Sequence, residues 1–346
     1  LIQGQGLRDK GKVQNSYPLS LVPFPLGGWF VKLPELKIGN KTAKIPIVQG
    51  GMAIRLSTAR LAAAVANEGG IGLIAASGMA HDELRYEIKL ARSLTDGIIG
   101  INIMVAASDF AGIVHTAMDA GIDLIVAGAG FSRDIFGLGR ASGTPIVPIV
   151  SSVKLAKISQ KLGAAAVVVE GKEAGGHLGT DISVRELIEP IRAAVTIPLI
   201  AAGGVLTGKD IVDVLKMGAN GVQMGSRFAA SLESNGAPSL KEYYLKSKPE
   251  DVVVINSPVG LPGRAVRTPF SKRVMEGNVP PKTCDSCLKA CKHNFCIVRA
   301  LTRAQQGDLE TGLVFTGEYM PRIEEILPAK EIIRRLVTEA EEFYQP

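Results

Sequence analysis

Short apolar runs alternate with segments of helical period along most of the chain. The runs are Ile45–Gln49, Ile71–Ala75, Ile98–Met104, Asp123–Ala127, Pro145–Val150, Ala165–Glu170, Ile197–Ala201 and Asn220–Met224. They are rich in Val and Ile and apolar at consecutive positions. That is the pattern of parallel strands buried on both faces, not of half-exposed ones. Between them, Ala59–Asn67 carries Leu61, Ala62, Val65 and Ala66 on a helical stripe and stops at Gly69-Gly70. Val153–Leu162 follows Ser151-Ser152 and ends at Gly163, and Asp210–Met217 ends at Gly218. Cap, stripe and terminal glycine mark where helices begin and stop. Eight strand-then-helix units, their strands beginning about 25 residues apart, predict an α/β fold, a (β/α)8 TIM barrel. A doubly wound sheet would carry a glycine fingerprint after its first strand. Gly50-Gly51-Met52-Ala53 lacks that spacing, and Gly128-Ala129-Gly130 has Arg133 where the third glycine belongs.

The barrel is placed over residues 36–231. Its first part, Leu36–Ile45, alternates about Gly39-Asn40 and reads as a hairpin plugging the barrel bottom. Residues 1–35 form an N-terminal extension with no assigned role. Residues 232–327 read as a lid or insertion segment. Within it, Ser239–Lys246 starts with a capping-box pattern, Ser239 and Glu242, and is expected to be helical. Val252–Ile255 reads as a short strand, and the Gly/Pro-rich stretch Ser257–Thr268 as a loop. Residues 328–346 contribute a last helix, Ala329–Phe343, with Ile332, Ile333, Leu336, Val337, Ala340 and Phe343 on the face that packs on the barrel.

Composition narrows the function. Of 346 residues 46% are hydrophobic, enough for a large core, and only 5% are aromatic, too few for a single-stranded nucleic-acid platform. The net charge of +6 comes from scattered Lys and Arg, a solvated surface rather than a nucleic-acid footprint. Tyr17–Val31 is apolar but broken by Pro18, Pro23, Pro25, Gly27 and Gly28, so it reads neither as a membrane span nor as a signal peptide. All four cysteines lie between Cys284 and Cys296, which argues against a disulfide-stapled secreted fold and for a reducing, cytoplasmic compartment.

Barrel chemistry collects at the carboxyl ends of the strands. There the sequence places Gln49-Gly50-Gly51-Met52, Asn102, Glu170 to Gly179, Ala201-Ala202-Gly203-Gly204 and Gln223-Met224-Gly225-Ser226. Gly203-Gly204 and Gly225-Ser226 follow the last two strands, where barrels turn backbone N–H groups toward a phosphate. His177 sits among Gly175, Gly176 and Gly179 on backbone free to approach a ligand, where an imidazole can donate a hydrogen bond or move a proton. A histidine bonded to its own loop is the other reading. Glu170 reads as a base, a hydroxyl ligand or a loop anchor, and Glu173 as a loop anchor. No triad, nucleophile elbow or zinc-protease motif is present, so a phosphate-bearing cofactor is inferred to carry the chemistry.

Six motifs stand in order at these strand ends: Pro46-Ile-Val-Gln-Gly-Gly-Met52, Gly70-Ile-Gly72, Ile101-Asn-Ile-Met104, Glu170-Gly-Lys-Glu-Ala-Gly-Gly-His-Leu-Gly179, Ile200-Ala-Ala-Gly-Gly204 and Gly221-Val-Gln-Met-Gly-Ser-Arg-Phe228. Together they resemble the nitronate monooxygenase (2-nitropropane dioxygenase) family, which includes the similar flavin-dependent enoyl-ACP reductases. The resemblance covers about residues 45–230 and continues more weakly through Gly263-Arg264-Ala265. It implies a TIM barrel that holds FMN without a covalent bond. By position, Gly51 and Met52 would face the isoalloxazine ring, Asn102 the ring or ribityl region, and Glu170 the ribityl chain. Gly175 and Gly176 would border the flavin. Gly203, Gly204, Gly225 and Ser226 would bind its phosphate, with Ala202 and Met224 beside them in the same motifs. His177 matches the catalytic histidine.

Cys284-x2-Cys287-x3-Cys291-x4-Cys296 lies outside the family pattern. The spacing would put the first three sulfurs near one helix face, with the fourth after a turn at Asn294. Four thiolates can hold Zn²⁺ or an iron–sulfur cluster, and four free thiols are the plain alternative. A metal here would be structural, since the segment lies away from the strand ends.

The favoured function is oxidation of alkyl nitronates with O₂. The alternative on the same flavin is reduction of an enoyl thioester with NAD(P)H as reductant. A non-catalytic flavin-binding redox sensor is the third reading. The partners expected are a nitronate or an acyl thioester, without nucleic acid or membrane; a homodimer stays open.

Overall fold

The computed structural model describes residues 32–277 and 279–344. All but four residues of the 1–35 extension therefore lie outside the described residues. Two short strands, β1 (Leu36–Ile38) and β2 (Lys41–Ala43), form an antiparallel hairpin. The strands β3 (Ile47–Gln49), β4 (Ile71–Ala75), β5 (Ile98–Met104), β6 (Leu124–Gly128), β7 (Ile146–Val150) and β8 (Val167–Glu170) then follow, β4 to β8 each paired in parallel with the one before. After a two-residue strand β9 (Gly176–His177) come β10 (Leu199–Ala202) and β11 (Gly221–Met224). β10 pairs with β8, and β11 with both β10 and β3, so eight parallel strands close a barrel. The chain is thus a (β/α)8 TIM barrel, as the spacing predicts.

Helices α1 (Ala59–Asn67), α2 (His81–Leu94), α3 (Phe110–Asp119), α4 (Asp134–Ser142), α5 (Val153–Leu162), α6 (Val184–Ala194) and α7 (Gly208–Lys216) return the chain between strands. Their ends follow local chemistry. Ser152 accepts the Leu155 N–H at the start of α5, and Gly163 ends it at φ +94°. α7 starts two residues before the expected Asp210 because Thr207 and Asp210 form a reciprocal cap.

Alternate strand residues face opposite layers, and both layers are dry. Val48, Leu73, Val126, Val147, Val168 and Ile200 point into the barrel, where Leu36, Ile38 and Ala43 of the hairpin plug the lower end. Ile47, Val167, Val169, Leu199 and Val222 point outward against the helices. At Gly72 the approach is closest. A Cβ there would stand 2.0 Å from the Ala62 carbonyl oxygen, so α1 lies directly on β4.

After β11 come α8 (Ser226–Ala229) and α9 (Pro238–Lys246). Ser239 does not cap α9: Pro238 occupies the first helical position, and the Ser239 hydroxyl donates to the Gly307 carbonyl at 3.4 Å. Then follow β12 (Val252–Asn256), β13 (Pro262–Val266), α10 (Pro269–Glu276), α11 (Ile297–Gln305), β14 (Val314–Phe315) and α12 (Ala329–Phe343). β13 lies inside the stretch expected to be a loop. Its Pro262 and Gly263 argue against a strand locally, but β12, β14 and β9 all pair with it. Pro at the first position of a strand withholds no needed donor. α12 packs on the barrel helices through Ile332, Ile333 and Leu336.

Replacing Gly72 by Ala forces α1 off β4. The expected loss is about 1–3 kcal/mol, the usual cost of overpacking a filled core, measured as a lowered urea midpoint. An unchanged midpoint would mean that α1 can shift freely.

Candidate active site

One cavity of about 250 Å³ opens at the carboxyl ends of the strands. Gly51, Met52, Asn102, Glu170, Gly175, Gly176, His177, Ala202, Gly203, Gly204, Met224, Gly225 and Ser226 all line it. The four cysteines do not.

The loop after β3 is folded back by one hydroxyl. Ser57 Oγ accepts the Met52 N–H at 2.9 Å and the Gln49 Nε2 donor at 2.9 Å. Gln49 is fully buried and also accepts the Leu73 N–H at 3.1 Å, tying the loop to β4. Gly51 then presses on Asn102: a Cβ at Gly51 would come within 2.3 Å of the Asn102 Cβ.

At the opposite wall Gly203 (φ +97°) and Gly204 (φ +69°) hold left-handed backbone that disfavours side chains. Their N–H groups, and that of Gly225, have no acceptor among the described residues. Ser226 opens α8, and its Oγ accepts the Gly317 N–H at 2.9 Å, which leaves its own hydrogen free to donate. Open N–H groups at two adjacent strand ends form an anion cradle. The sequence reading missed Gly317, although the reason it must be glycine is plain: a Cβ there would stand 2.8 Å from Ser226 Oγ. Gln223, which the sequence placed at a strand end without a role, has its Oε1 buried at the cavity with no partner among the described residues.

Glu170 lines the cavity floor. Burial alone pushes its carboxyl up to about 8, so at neutral pH it is mostly protonated and able to donate. Glu173 anchors the next turn: its carboxylate accepts the Val184 N–H at 3.1 Å and its carbonyl the Glu318 N–H at 3.0 Å. Arg264, nearly buried, donates to the carbonyls of Lys172 and Ala174 and pairs with Glu318 at 3.3 Å. The glycine-rich loop is therefore held from below by the strand that the sequence hides.

That strand also sets His177. β9 pairs with β13, His177 opposite Gly263, and the imidazole stands edge-on to Phe315 at 5.3 Å. His177 Nε2 lies 2.8 Å from the Oγ of buried Ser257. Ser257 Oγ already accepts the Val259 N–H at 3.3 Å. Its hydroxyl can donate to Nε2 or accept from it, according to which ring nitrogen carries the proton. Burial pushes the imidazole down to about 4, so His177 is neutral at pH 7. The remaining wall is apolar, with Leu56, Ile297, Val298, Leu301 and Met320. No Lys or Arg lines the cavity among the described residues.

The residues fit a flavin mononucleotide. The glycine cradle suits one phosphate, the unpartnered Gln223 Oε1 and the protonated Glu170 suit a chain of hydroxyls, and the narrow Gly51–Asn102 side suits a flat ring.

The cysteine segment departs from expectation. Residues 279–296 contain no helix. Ser286 (φ +49°) and His293 (φ +54°) are left-handed, which an α-helix cannot hold, so Cys284, Cys287 and Cys291 do not share a helix face. All four thiols are free, and no group of three or more His, Cys, Asp or Glu side chains is drawn together to hold an ion among the described residues.

A family model described as nitronate monooxygenase matches residues 35–122 and 114–339. The (3aS,4S,5R,7aS)-5-hydroxy-7a-methyl-1-oxo-octahydro-1H-indene-4-carboxyl-CoA dehydrogenase of Rhodococcus jostii is 34% identical over 64% of this chain and 63% of its own length. The chain thus spans under two thirds of that relative. A probable nitronate monooxygenase of Staphylococcus aureus is 26% identical over 87% of this chain and 95% of its own. The solved structure of FabK from Thermotoga maritima, an enoyl-ACP reductase, superposes with a TM-score of 0.79 at 35% identity, covering 86% of this chain and 93% of that one. No helix among the described residues is long and apolar enough to cross a membrane.

The buried carboxyl of Glu170 has a pH signature. Its folded-state value lies above the ordinary 4.5, so its contribution to stability is full below that value and is lost as pH rises toward about 8. Cofactor-free protein is expected to lose stability relative to Glu170→Gln between pH 5 and 8, with a constant gap above. Urea midpoints across that range test it; a pH-independent gap would show that Glu170 ionises normally in the fold.

Proposed function

Because the chain belongs to the nitronate monooxygenase family and is an oxidoreductase of that type, we propose that it binds FMN and reduces the C=C bond of an enoyl thioester at the expense of a reduced nicotinamide. The observation that carries this reading is the absence of positive charge from the cavity. Among the described lining residues there is no Lys or Arg, and the one histidine is held neutral. An anionic nitronate would leave water for a site with no counter-charge, which is costly. An uncharged thioester with an apolar acyl chain meets the wall of Ile297, Val298, Leu301 and Met320 without that cost. The similarity to FabK and to a dehydrogenase named for a hydroxyl-bearing carboxyl-CoA thioester supports a thioester substrate. Nitronate oxidation, the favoured sequence reading, becomes the competing outcome.

FMN, when bound, supplies the two-electron chemistry that no side chain here can perform. Gly203, Gly204, Gly225 and Ser226 would hold its phosphate through N–H and O–H donors, and Gln223 and Glu170 its hydroxyls. With Ser257 donating to Nε2, His177 would offer its Nδ1–H to a substrate oxygen. A neutral imidazole donor polarises a carbonyl as negative charge grows on it, without a buried cation. The 2.8 Å contact with Ser257 Oγ holds the ring in place for that role. The product gains a hydride equivalent that comes from the nicotinamide and one proton that comes from solvent across the former double bond.

Anaerobic stopped-flow mixing separates the two reactions. NADH or NADPH should bleach the flavin and a crotonyl thioester should restore its colour, while propyl nitronate leaves it unchanged. Bleaching by propyl nitronate and not by either nicotinamide would overturn the reductase reading. His177→Ala should keep its flavin and lose about 10²–10³ in turnover, as for one lost oxyanion donor. Ser257→Ala should act through the same ring with a smaller loss. Unchanged turnover in both would reduce His177 to a loop residue.

A further inference from the structure

The four cysteines take no part in the cavity, yet they are every thiol in the chain and lie between residues 284 and 296. We propose that Cys284, Cys287, Cys291 and Cys296 are the ligands of an iron–sulfur cluster held against the outer side of the cavity wall.

The local backbone is the first argument. Ser286 and His293 each sit two residues after a cysteine, in the left-handed region that residues with side chains rarely enter. Each turns its N–H onto that cysteine: Ser286 to Cys284 Sγ and His293 to Cys291 Sγ, both at 3.4 Å. A neutral thiol is a weak acceptor, so such bonds repay little. A thiolate is a charged acceptor, and hydrogen bonds to ligand sulfurs are a standard part of cluster sites. Cys296 is the residue before the first turn of α11, the positive end of that helix, and its sulfur is not spent on a cap bond.

Charge is the second argument. Lys282, Lys292 and Arg299 lie in or beside the segment, against one carboxylate, Asp285, which is already paired with Arg299 at 2.6 Å, while Lys289 donates to the Val105 carbonyl at 3.0 Å. The surplus of cations suits a set of thiolates.

Spacing selects the metal centre. Around one zinc ion the sulfurs would stand only about 3.8 Å apart, since each lies about 2.3 Å from the metal. No such gathered set exists among the described residues. Cys287 is nonetheless within electrostatic reach of Cys284, Cys291 and Cys296. A cluster, whose own irons and sulfides stand between its ligands, does not require the four sulfurs to touch one another. Runs of cysteines two to four residues apart are the pattern such clusters take.

The segment is fixed to its surroundings. Ser108 N–H donates to the Cys287 carbonyl at 3.1 Å, Lys289 N–H to Ala106 at 2.9 Å and Lys292 N–H to Pro258 at 2.9 Å. Directly after Cys296, α11 supplies Ile297, Val298 and Leu301 to the cavity. A cluster here would tie together the loop after β5, the turn that carries Ser257 and the apolar wall.

Anaerobically purified full-length protein tests the proposal. Iron and acid-labile sulfide should be present in equal amounts, more than one of each per chain, with a paramagnetic signal after dithionite reduction. Cys287→Ser/Cys291→Ser should lose iron, sulfide and signal. Because that variant may fail to fold, wild-type protein stripped of metal should also recover them on treatment with ferrous iron and sulfide. One zinc per chain without sulfide would overturn the cluster, and so would no metal after reconstitution with four thiols open to titration.

Discussion

A strand buried on both faces can offer chemistry only at its ends. Val48, Val126 and Val168 face a dry interior, and Ile47, Val167 and Leu199 a dry helix layer. The hairpin plug of Leu36 and Ile38 closes the lower end. Every polar group that serves the cavity must therefore come from the upper ends or from segments laid over them. This is why one opening gathers residues as distant in sequence as Gly51, His177 and Gly317.

The ends alone do not make the site. Glycines that allow close approach also leave loops without side chains to hold them. The third part of the chain supplies the missing restraint. Arg264 grips the carbonyls of Lys172 and Ala174, Ser257 orients His177, and Gly317 donates to Ser226. Tyr244 adds a fixed point, its buried hydroxyl donating to the Phe315 carbonyl at 3.1 Å. Mobility in the glycine loop is thus traded for contacts made from outside the barrel.

Much of this was legible in the sequence because it rests on local signals. Strand period, helix caps and terminal glycines act over a few residues, so all eight barrel strands and their order could be read. The cavity residues could be read because glycine, Asn102 and His177 stand where strands stop. β13 could not be read, because Pro262 and Gly263 look like a loop and only partners far along the chain make them a strand. The cysteine segment misled for a related reason. Its i, i+3, i+7 spacing is helical, but Ser286 and His293 turn the other way to reach sulfur. Ser257 and Gly317 carry no pattern of their own, and only their three-dimensional neighbours give them a role.

The bond between Gly317 and Ser226 joins residues 91 positions apart. It bears on how the protein is made. Chains fold in domain-sized steps as they leave the ribosome, and all eight barrel strands have emerged once Met224 is clear. At that moment the phosphate cradle has its glycines but not Gly317, and His177 has neither Ser257 nor Phe315. The barrel can close well before it can grip a cofactor, so loading waits until the chain through Gly317 has emerged.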